Sequence, residues 1–421
     1  MSKSRIIAAI DLGSSKIATL VAQVNIEPVT LETSISIMGA ASSESRGIKK
    51  GQIVDIEEAV DATVSSVEAA ERMAGYSLES AYVSLGGAHV HSQNSHGVVA
   101  ISDPQGEITQ TDVDRVIEAA SAISLPTSRE IIHVIPREFV VDGEAGVKDP
   151  VGMSGIRLEV DTHIISASSA AIKNLKKCVN EVGVDIEGLV FCGLASAEST
   201  VSSTEKELGC VLIEIGGGTT SIVAFVDGSL AYSGVIPIGA RNVTNDLAIG
   251  LRVSLETAEK IKKALSLDIN KKDKDQKDEL DLKSLGVTEV TKVSRKTLLE
   301  GIVRPRLNEI FTMVKMELDK EGFTRRIPSG VILTGGGAET PGVEDSAKRM
   351  LSLPVRVGIP KGVGGLIDDI INPSFASPVG LIKYGVTENP TENLTSFTKK
   401  LKLPTKGIFG KLIETVKDLL P

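Results

Sequence analysis

Alternating and helically spaced apolar residues divide the first 85 residues into short strands and one helix. The apolar run at 5–10 and the alternating residues 16–24, rich in β-branched side chains, predict two strands joined by a polar, glycine-containing corner. A third strand is expected near 34–40. Apolar side chains recur at three- and four-residue spacing over 55–74, which predicts a helix, and a strand over 81–85 ends at two glycines.

Residues 86–163 show a different pattern, short strands around a single helix, which predicts an α+β insert. Short strands are expected at 97–101, 131–135, 139–141 and 156–160, around one helix near 111–122. Afterwards strands and helices alternate again. This α/β pattern predicts a strand at 163–167, a helix at 170–182, a strand at 186–191 and a helix near 194–201.

The second half of the chain opens with the same layout as the first. Residues 210–226 read as strand, glycine turn and strand, as residues 6–24 do. This repetition predicts an internally duplicated α/β fold. Further on, we expect a helix over 242–265, a solvated loop over 270–285, a helix over 294–320 and a strand at 330–334.

Composition narrows the classes of function. The 421 residues predict two to four domains, and 41% hydrophobic with 24% charged residues is ordinary for a soluble globular protein. A net charge of −9 argues against a nucleic-acid partner, since phosphate neutralisation needs a basic face. The three scattered cysteines indicate a reducing compartment rather than a disulfide framework or a zinc site.

Three glycine-rich corners each follow a short apolar strand. We call them the first corner (residues 11–16, DLGSSK), the second corner (214–220, EIGGGTT) and the third corner (334–337, TGGG). Glycines let the backbone approach a ligand and point N–H groups at it, and hydroxyls with a lysine suit phosphate. The predicted nucleotide-binding residues of the corners are Asp11, Gly13, Ser14, Ser15, Lys16, Glu214, Gly216, Gly217, Gly218, Thr219, Thr220, Gly335, Gly336 and Gly337.

Two of these residues are acidic and suit a metal ion. If the halves are related by pseudo-symmetry, Asp11 and Glu214 face each other and can hold Mg²⁺ through its water shell. Neither a P-loop nor a dinucleotide-binding glycine pattern follows the first strand. The corners therefore predict a nucleotide clamp built from two hairpins.

With these motifs the chain resembles the actin/Hsp70/sugar-kinase superfamily and, within it, the FtsA family of bacterial cell-division proteins. Phrases similar to that family occur at 47–55, 133–139, 149–159, 235–239, 244–246 and 258–262, so the resemblance covers nearly the whole chain. The phrase at 149–159 (DPVGMSGIRLE) is the most specific, because generic actin-like folds lack it.

The resemblance implies a duplicated actin-like fold of the ribonuclease H-like type, with four subdomains. The expected bounds are 1–85 for subdomain 1A (completed by 164–205 and 372–385), 86–163 for the insert 1C, 206–248 for 2A (completed by 325–371) and 249–324 for 2B. A linker at 386–405 and an amphipathic helix at 406–421 follow.

The same resemblance implies ligands and partners. It implies ATP and Mg²⁺ as cofactors, with Gly239, Glu259 and Lys262 lining the adenosine pocket. It implies that 2B binds the C-terminal tail of the tubulin-like protein FtsZ, that other division proteins bind the insert, and that the protein polymerises at the inner face of the membrane at the division site. Candidate FtsZ contacts are Arg295, Glu300, Arg304 and Arg306.

Three residues depart from the family pattern. Glu214 stands where an Asp is usual, Ser221 replaces a common Asp, and Cys192 stands where many relatives have Glu or Gln. In hydrolytic members of the superfamily the last of these polar residues helps to orient the attacking water. Because a thiol serves poorly in that role, we expect nucleotide binding with slow hydrolysis.

The last residues predict a membrane-binding helix. At 100° per residue, one arc of about 140° collects the apolar side chains, and residues 396–421 carry six lysines against two acidic residues. A basic amphipathic helix after a polar linker is typical of an interfacial anchor, although a helix docked on the protein body shows the same periodicity. The predicted membrane contacts are Ile408, Phe409, Lys411, Leu412, Ile413, Val416, Lys417, Leu419 and Leu420.

Two other functions remain open at this stage. A PilM-like pilus-assembly protein shares the fold and the insert, but that alternative predicts no C-terminal membrane helix. A sugar or acetate kinase needs an acidic base in the cleft between the halves. Asp142 and Asp246 are candidates for that base.

Overall fold

The computed structural model describes residues 3–27, 33–103, 105–269, 278–283, 292–366 and 368–388. Its two main sheets have the same topology. Each starts with three antiparallel strands in sequence order, and its first strand pairs in parallel with a later strand, which pairs in parallel with another. The predicted duplicated α/β fold is confirmed.

The first sheet has the strand order β11-β6-β1-β2-β3-β19. Helix α1 begins after Asp55, whose side chain accepts a hydrogen bond from the Glu58 N–H, and it ends at Gly75 in the left-handed region. It packs against β2 and β3. The first elements are β1 (Lys3–Leu12), β2 (Lys16–Ile26), β3 (Thr33–Glu44), β4 (Ile48–Lys49), β5 (Gln52–Ile53), α1 (Ile56–Ala74) and β6 (Ser80–Leu85).

The insert is a four-stranded antiparallel sheet with the order β7-β10-β8-β9, and one helix covers a face of it. Its elements are β7 (His91–Ala100), α2 (Gln110–Ser121), β8 (Arg129–Val141), β9 (Glu144–Val147) and β10 (Arg157–Ser168). The predictions of separate strands at 131–135 and 139–141, and at 156–160 and 163–167, are wrong. Each pair is one long strand, and a register shift where Pro136 meets Thr162 lets β8 run past the proline.

The next part of the chain completes the first sheet with β11 and then enters the second half at β12. The next elements are α3 (Ser169–Glu181), β11 (Asp185–Phe191), α4 (Cys192–Thr200), α5 (Ser203–Leu208), β12 (Cys210–Ile215), β13 (Thr220–Val226), β14 (Ser229–Ile236), α6 (Ala240–Leu251) and α7 (Leu255–Ile269). The single helix predicted over 242–265 is wrong. Arg252 takes a left-handed conformation that ends α6, and the Ser254 hydroxyl accepts the Thr257 N–H at the start of α7.

The remaining elements complete both sheets. They are β15 (Glu279–Asp281), β16 (Lys292–Ser294), α8 (Arg295–Leu298), a π-helical segment (Leu299–Val303), α9 (Arg304–Lys320), β17 (Val331–Thr334), α10 (Val343–Leu351), β18 (Val355–Val357), β19 (Gly364–Gly365) and α11 (Ala376–Glu388). Part of the loop predicted over 270–285 is strand β15, which pairs with β16. The other part, 270–277, and residues 284–285 lie outside the described residues.

Two structural features lie close to boundaries expected near the end of the chain. Gly364 and Gly365 pair with β3 of the first sheet, ahead of residue 372, where the resemblance implies the return to the first subdomain. Helix α11 continues to Glu388, into the predicted linker at 386–405. Residues 389–405 and the predicted amphipathic helix at 406–421 lie outside the described residues. Among the helices described, none has the length and apolar character needed to cross a membrane.

Helices α4 and α11 cross in direct backbone contact behind the corners. A Cβ on Gly380 of α11 would lie 1.7 Å from the Ala195 carbonyl oxygen of α4. The Ser199 hydroxyl also donates to the Ala376 carbonyl oxygen over 2.7 Å. Because no side chain separates the two helices, glycine is required at 380 for this crossing.

Gly380→Ala tests this contact. The added methyl group must push the helices apart, so we expect the free energy of unfolding to fall by about 3 kcal/mol, as measured by urea denaturation followed by circular dichroism. The matched control is Gly301→Ala, where a Cβ meets no atom within 4 Å. That variant should be neutral or slightly more stable. Equal stability of the two variants would contradict the proposed packing.

Candidate functional site

A cleft of about 820 Å³ lies between the two halves, and all three corners line it. It also includes side chains of α6 and α7 on one wall and of β3 on another. The predicted residues that line it are Asp11, Gly13, Ser14, Ser15, Lys16, Glu214, Gly216, Gly217, Thr219, Glu259, Lys262, Gly335, Gly336 and Gly337. The structure therefore brings most of the predicted site together.

The first and second corners are built alike and touch each other. The Gly13 N–H donates to the Lys16 carbonyl oxygen over 3.1 Å, and the Gly216 N–H donates to the Thr219 carbonyl oxygen over 2.8 Å. A Cβ on Gly217 would lie only 1.9 Å from Ser15 Oγ. Any larger side chain at 217 must therefore displace the Ser15 hydroxyl from its position between the two corners.

Three predicted residues do not line the cleft. Thr220 is fully buried and its hydroxyl donates to the Ile238 carbonyl oxygen over 2.8 Å, so it braces the sheet. Gly218 faces Lys50, whose Cα would lie 3.1 Å from an added Cβ. Gly239 precedes α6 and packs on the backbone of the second corner, where a Cβ would lie 2.5 Å from the Gly216 carbonyl oxygen. These glycines shape the second corner from behind.

Asp11, which is half-buried, and Glu214, which is buried, form an acidic pair. Burial first, and then the charge of Asp11, raise the pKa of Glu214 from its ordinary value of 4.5 to about 7, against the opposing effect of hydrogen bonds from Ser196 and Cys192. Burial also raises the pKa of Asp11, against hydrogen bonds from Ser84 and Ser377 and the charge of Lys16. Glu214 Oε2 is buried without a hydrogen-bond partner among the described residues. A hydrated divalent cation fits this pair, because it would neutralise both carboxylates and occupy the unpaired oxygen.

Lys16 lies across the cleft floor. Its Nζ donates to Ser374 Oγ over 2.9 Å and sits 3.5 Å from the centre of the Phe375 ring. Burial lowers the pKa of Lys16 to about 8, although Asp11 and Glu339 favour its charged form. The amine is thus mostly charged at neutral pH and close to where the corners would hold an anion.

A polar cluster on α6 and α7 lines the opposite wall. Lys262 Nζ lies 2.7 Å from Glu259 Oε2 and donates to Thr244 Oγ1 over 2.9 Å, while the Thr244 hydroxyl donates to the same Glu259 oxygen over 2.6 Å. Burial raises the pKa of Glu259, but the hydrogen bonds from Lys262 and Thr244 outweigh it and lower the pKa. Glu259 is therefore ionised and fixed in direction.

Several cleft residues escaped prediction as site residues. The serines among them had no distinguishing sequence context, because serine is common at strand ends and in loops. Cys192 and Ser221, noted only as departures from the family, both line the cleft, with Sγ 3.3 Å from Oγ. Burial, together with the charge of Glu214, raises the pKa of the Cys192 thiol well above its ordinary value. The other unpredicted residues include Ser42, Ser43, Ser45, Ser84, Gly86, Arg241, Thr244, Glu339 and Ser374.

The two candidate kinase bases lie elsewhere. Asp142 accepts the Ile156 N–H over 3.0 Å in the insert, and Asp246 binds Arg306 through two hydrogen bonds of 2.6 and 2.9 Å. Neither of them lines the cleft. Neither residue therefore lies where a small-molecule kinase would need its acidic base.

The four candidate partner residues lie on one helical stretch. Arg304 pairs with Glu300, one turn earlier. Arg306 joins α9 to α6 through Asp246 and also pairs with Glu309 over 2.5 Å. The Arg295 N–H donates to the Asp278 carbonyl oxygen over 2.7 Å at the start of α8. Arg306 thus holds α9 against α6.

Comparison with known proteins identifies relatives along the whole chain. A family model described as "SHS2 domain inserted in FTSA" matches residues 87–166, and one described as "Cell division protein FtsA" matches 211–380. The cell division protein FtsA of Borreliella burgdorferi is 41% identical over 95% of this chain and 96% of its own length. FtsA of Pseudomonas aeruginosa is 37% identical (92% and 90%), and that of Escherichia coli K12 is 33% identical (90% and 90%).

Solved structures share the fold at much lower identity. The PilM–PilN type IV pilus biogenesis complex contains a chain similar to this one, with a TM-score of 0.63, 15% identity, and 90% and 98% of the two chains covered. MreB5 of Spiroplasma citri bound to AMPPNP gives a TM-score of 0.50 at 15% identity, covering 93% and 100%. These likenesses show an actin-like fold, as predicted.

Glu214→Gln tests the electrostatic cost of the acidic pair. In the unfolded chain the Glu214 carboxyl ionises near pH 4.5, whereas in the nucleotide-free folded protein it keeps its proton to about pH 7. The wild-type free energy of unfolding therefore loses about 3 kcal/mol as the pH rises through this window. We expect the stability advantage of Glu214→Gln, measured by urea denaturation in EDTA, to grow by about 2–3 kcal/mol from pH 5 to pH 8.

Glu44→Gln is the control for this experiment. Glu44 also lines the cleft but is exposed. The same measurements on this variant show how much of any effect follows from substituting a cleft carboxyl as such. A pH-independent difference for Glu214→Gln would show that the carboxyl is not buried as described.

Proposed function

Because this chain belongs to the FtsA family of actin-like cell-division proteins, we propose that it binds ATP with Mg²⁺ and tethers the FtsZ ring to the membrane. The observation that carries the proposal is the pair of matching glycine corners, which meet across the cleft with Asp11 and Glu214 beside them. Their backbone N–H groups and hydroxyls suit phosphates.

The proposed roles follow the geometry of the cleft. The first and second corners would hold the phosphates with Lys16, while Glu259, Lys262 and the third corner would hold the adenosine. Mg²⁺, when bound, would neutralise charge on the phosphates, and Asp11 and Glu214 would hold it through water. The nucleotide-bound fold neighbour MreB5 is in keeping with a nucleotide in this cleft.

We propose that hydrolysis is slow. The Cys192 thiol, beside Glu214 in the cleft, has a raised pKa and so stays protonated at neutral pH. A neutral thiol is a weak hydrogen-bond partner and a poor general base. Asp11 and Glu214, whose charges act on this thiol, would be taken up by the cation.

The proposed tether is the C-terminal segment. Seven apolar residues on one arc supply only a few kcal/mol of membrane affinity, so a single molecule binds reversibly and a filament binds by avidity. The surface of 249–324, including Arg295, Glu300 and Arg304, is proposed to bind the FtsZ tail, and the insert to bind other division proteins. Self-assembly on the membrane would then hold many FtsZ tails in place.

Gly217→Ala tests nucleotide binding. The added Cβ would lie 1.9 Å from Ser15 Oγ, so the hydroxyl that the first corner would offer to the phosphates must move away, and affinity for a fluorescent ATP analogue should fall about tenfold or more. Fluorescence anisotropy in the presence of Mg²⁺ measures it. Gly364→Ala is the matched control, since its Cβ would meet no atom closer than 3.9 Å and it lies outside the cleft. Equal affinities in the two variants would argue against the clamp.

Ile413→Glu tests the membrane anchor. A charge in the apolar arc must be desolvated on insertion, so partitioning onto liposomes with anionic lipid should fall about tenfold in co-sedimentation. The control, Thr415→Glu, adds the same charge on the polar arc and should lose much less. Undiminished pelleting of Ile413→Glu, or of a protein lacking residues 406–421, would contradict the proposal.

A further inference from the structure

Two buried serine hydroxyls donate hydrogen bonds to the acidic pair from the side that faces away from the cleft. Ser196 Oγ donates to Glu214 Oε1 over 2.8 Å, and Ser377 Oγ donates to Asp11 Oδ1 over 3.0 Å. Ser196 is fully buried and Ser377 is 3% exposed. Neither side chain lines the cleft, so each reaches its carboxylate from the protein side.

The Ser196 hydroxyl differs from the neighbouring hydroxyls of α4 in the group to which it donates its hydrogen bond. Ser199 donates to the Ala376 and Ser196 carbonyl oxygens, and Thr200 donates to the Ser196 carbonyl oxygen, one turn back. Buried hydroxyls in helices are commonly satisfied by the main chain in this manner. Ser196, in contrast, donates its hydrogen bond to Glu214, an acidic side chain of the cleft.

The two serines are fixed relative to each other. Ser196 is on α4 and Ser377 is in the first turn of α11, and these helices are in backbone contact at Ala195 and Gly380. Each carboxylate therefore accepts one hydrogen bond from the same rigid helix pair, although the carboxylates themselves come from different halves, and Asp11 also accepts one from Ser84. Glu214 is left with Oε2, the buried oxygen without a partner in the described structure.

We propose that Ser196 and Ser377 are positioning residues for the divalent cation. Each hydroxyl fixes the rotation of its carboxylate and so directs the pair at the water shell of the metal. The inference rests on the proposed function, binding of a magnesium nucleotide in the cleft. Groups that orient metal-binding residues commonly change metal affinity about tenfold or more when removed.

A purely structural role makes a different prediction. If the hydroxyls only satisfy buried groups, their removal lowers stability and affects nucleotide binding equally with and without Mg²⁺. A positioning role leaves affinity in EDTA unchanged and moves the Mg²⁺ dependence alone. The two roles are therefore separated by the metal concentration at half-saturation.

Ser196→Ala and Ser377→Ala test the inference on the full-length protein. Binding of the fluorescent ATP analogue is measured by anisotropy in EDTA and then titrated with Mg²⁺ at a fixed nucleotide concentration. Ser199→Ala is the control, since it removes an equally buried hydroxyl from the same helix without touching a carboxylate. Thermal unfolding by circular dichroism verifies that all variants fold.

We expect the Mg²⁺ concentration at half-saturation to rise about tenfold in both test variants, with affinity in EDTA within about twofold of the wild type. Ser199→Ala should match the wild type in both measurements. Unchanged Mg²⁺ dependence in the test variants, or an equal shift in Ser199→Ala, would overturn the inference alone. Absence of binding by the wild type under every condition would overturn the proposed function, and the inference with it.

Discussion

The structure depends on one crossing of two helices without side chains between them. At Gly380 the backbone of α11 lies against the backbone of α4, and around this contact the two sheets meet. Helix α11 packs on β1 and α4 packs on β12, so the crossing lies beside the two strands that lead into the first and second corners. Because packed interiors have few voids, a change of even one methyl group there must be transmitted to both halves.

The consequence for the cleft is electrostatic. Two carboxylates are held in a buried position where burial disfavours their charged forms. Burial of these groups lowers the stability of the folded protein at neutral pH. Under the proposed function, magnesium nucleotide that binds the folded chain would stabilise it by mass action and offset this cost.

The corners could be predicted from the sequence because their signal is local. An apolar strand, an acidic residue and a turn that contains glycine and hydroxyl residues stand next to one another at Asp11 and again at Glu214. The roles of Ser196 and Ser377 could not, because they depend on the rotation of two distant helices and on which corner each meets. Arg252 also escaped prediction, since a non-glycine residue in the left-handed region has no clear sequence mark.

The strands of the insert were harder to predict than the corners. The strand expected at 131–135 and the one at 139–141 are joined in β8, which passes Pro136 at a register shift, and β10 likewise runs as one strand from Arg157 to Ser168. The first corner reaches the same region by short contacts: Ser14 Oγ accepts the Gly51 N–H, and Gly51 packs on the backbone of Gly86 and Gly87. These contacts are backbone to backbone or through one hydroxyl, so they leave no flexible side chain to absorb a shift. A displacement of the first corner must therefore be felt where the insert begins.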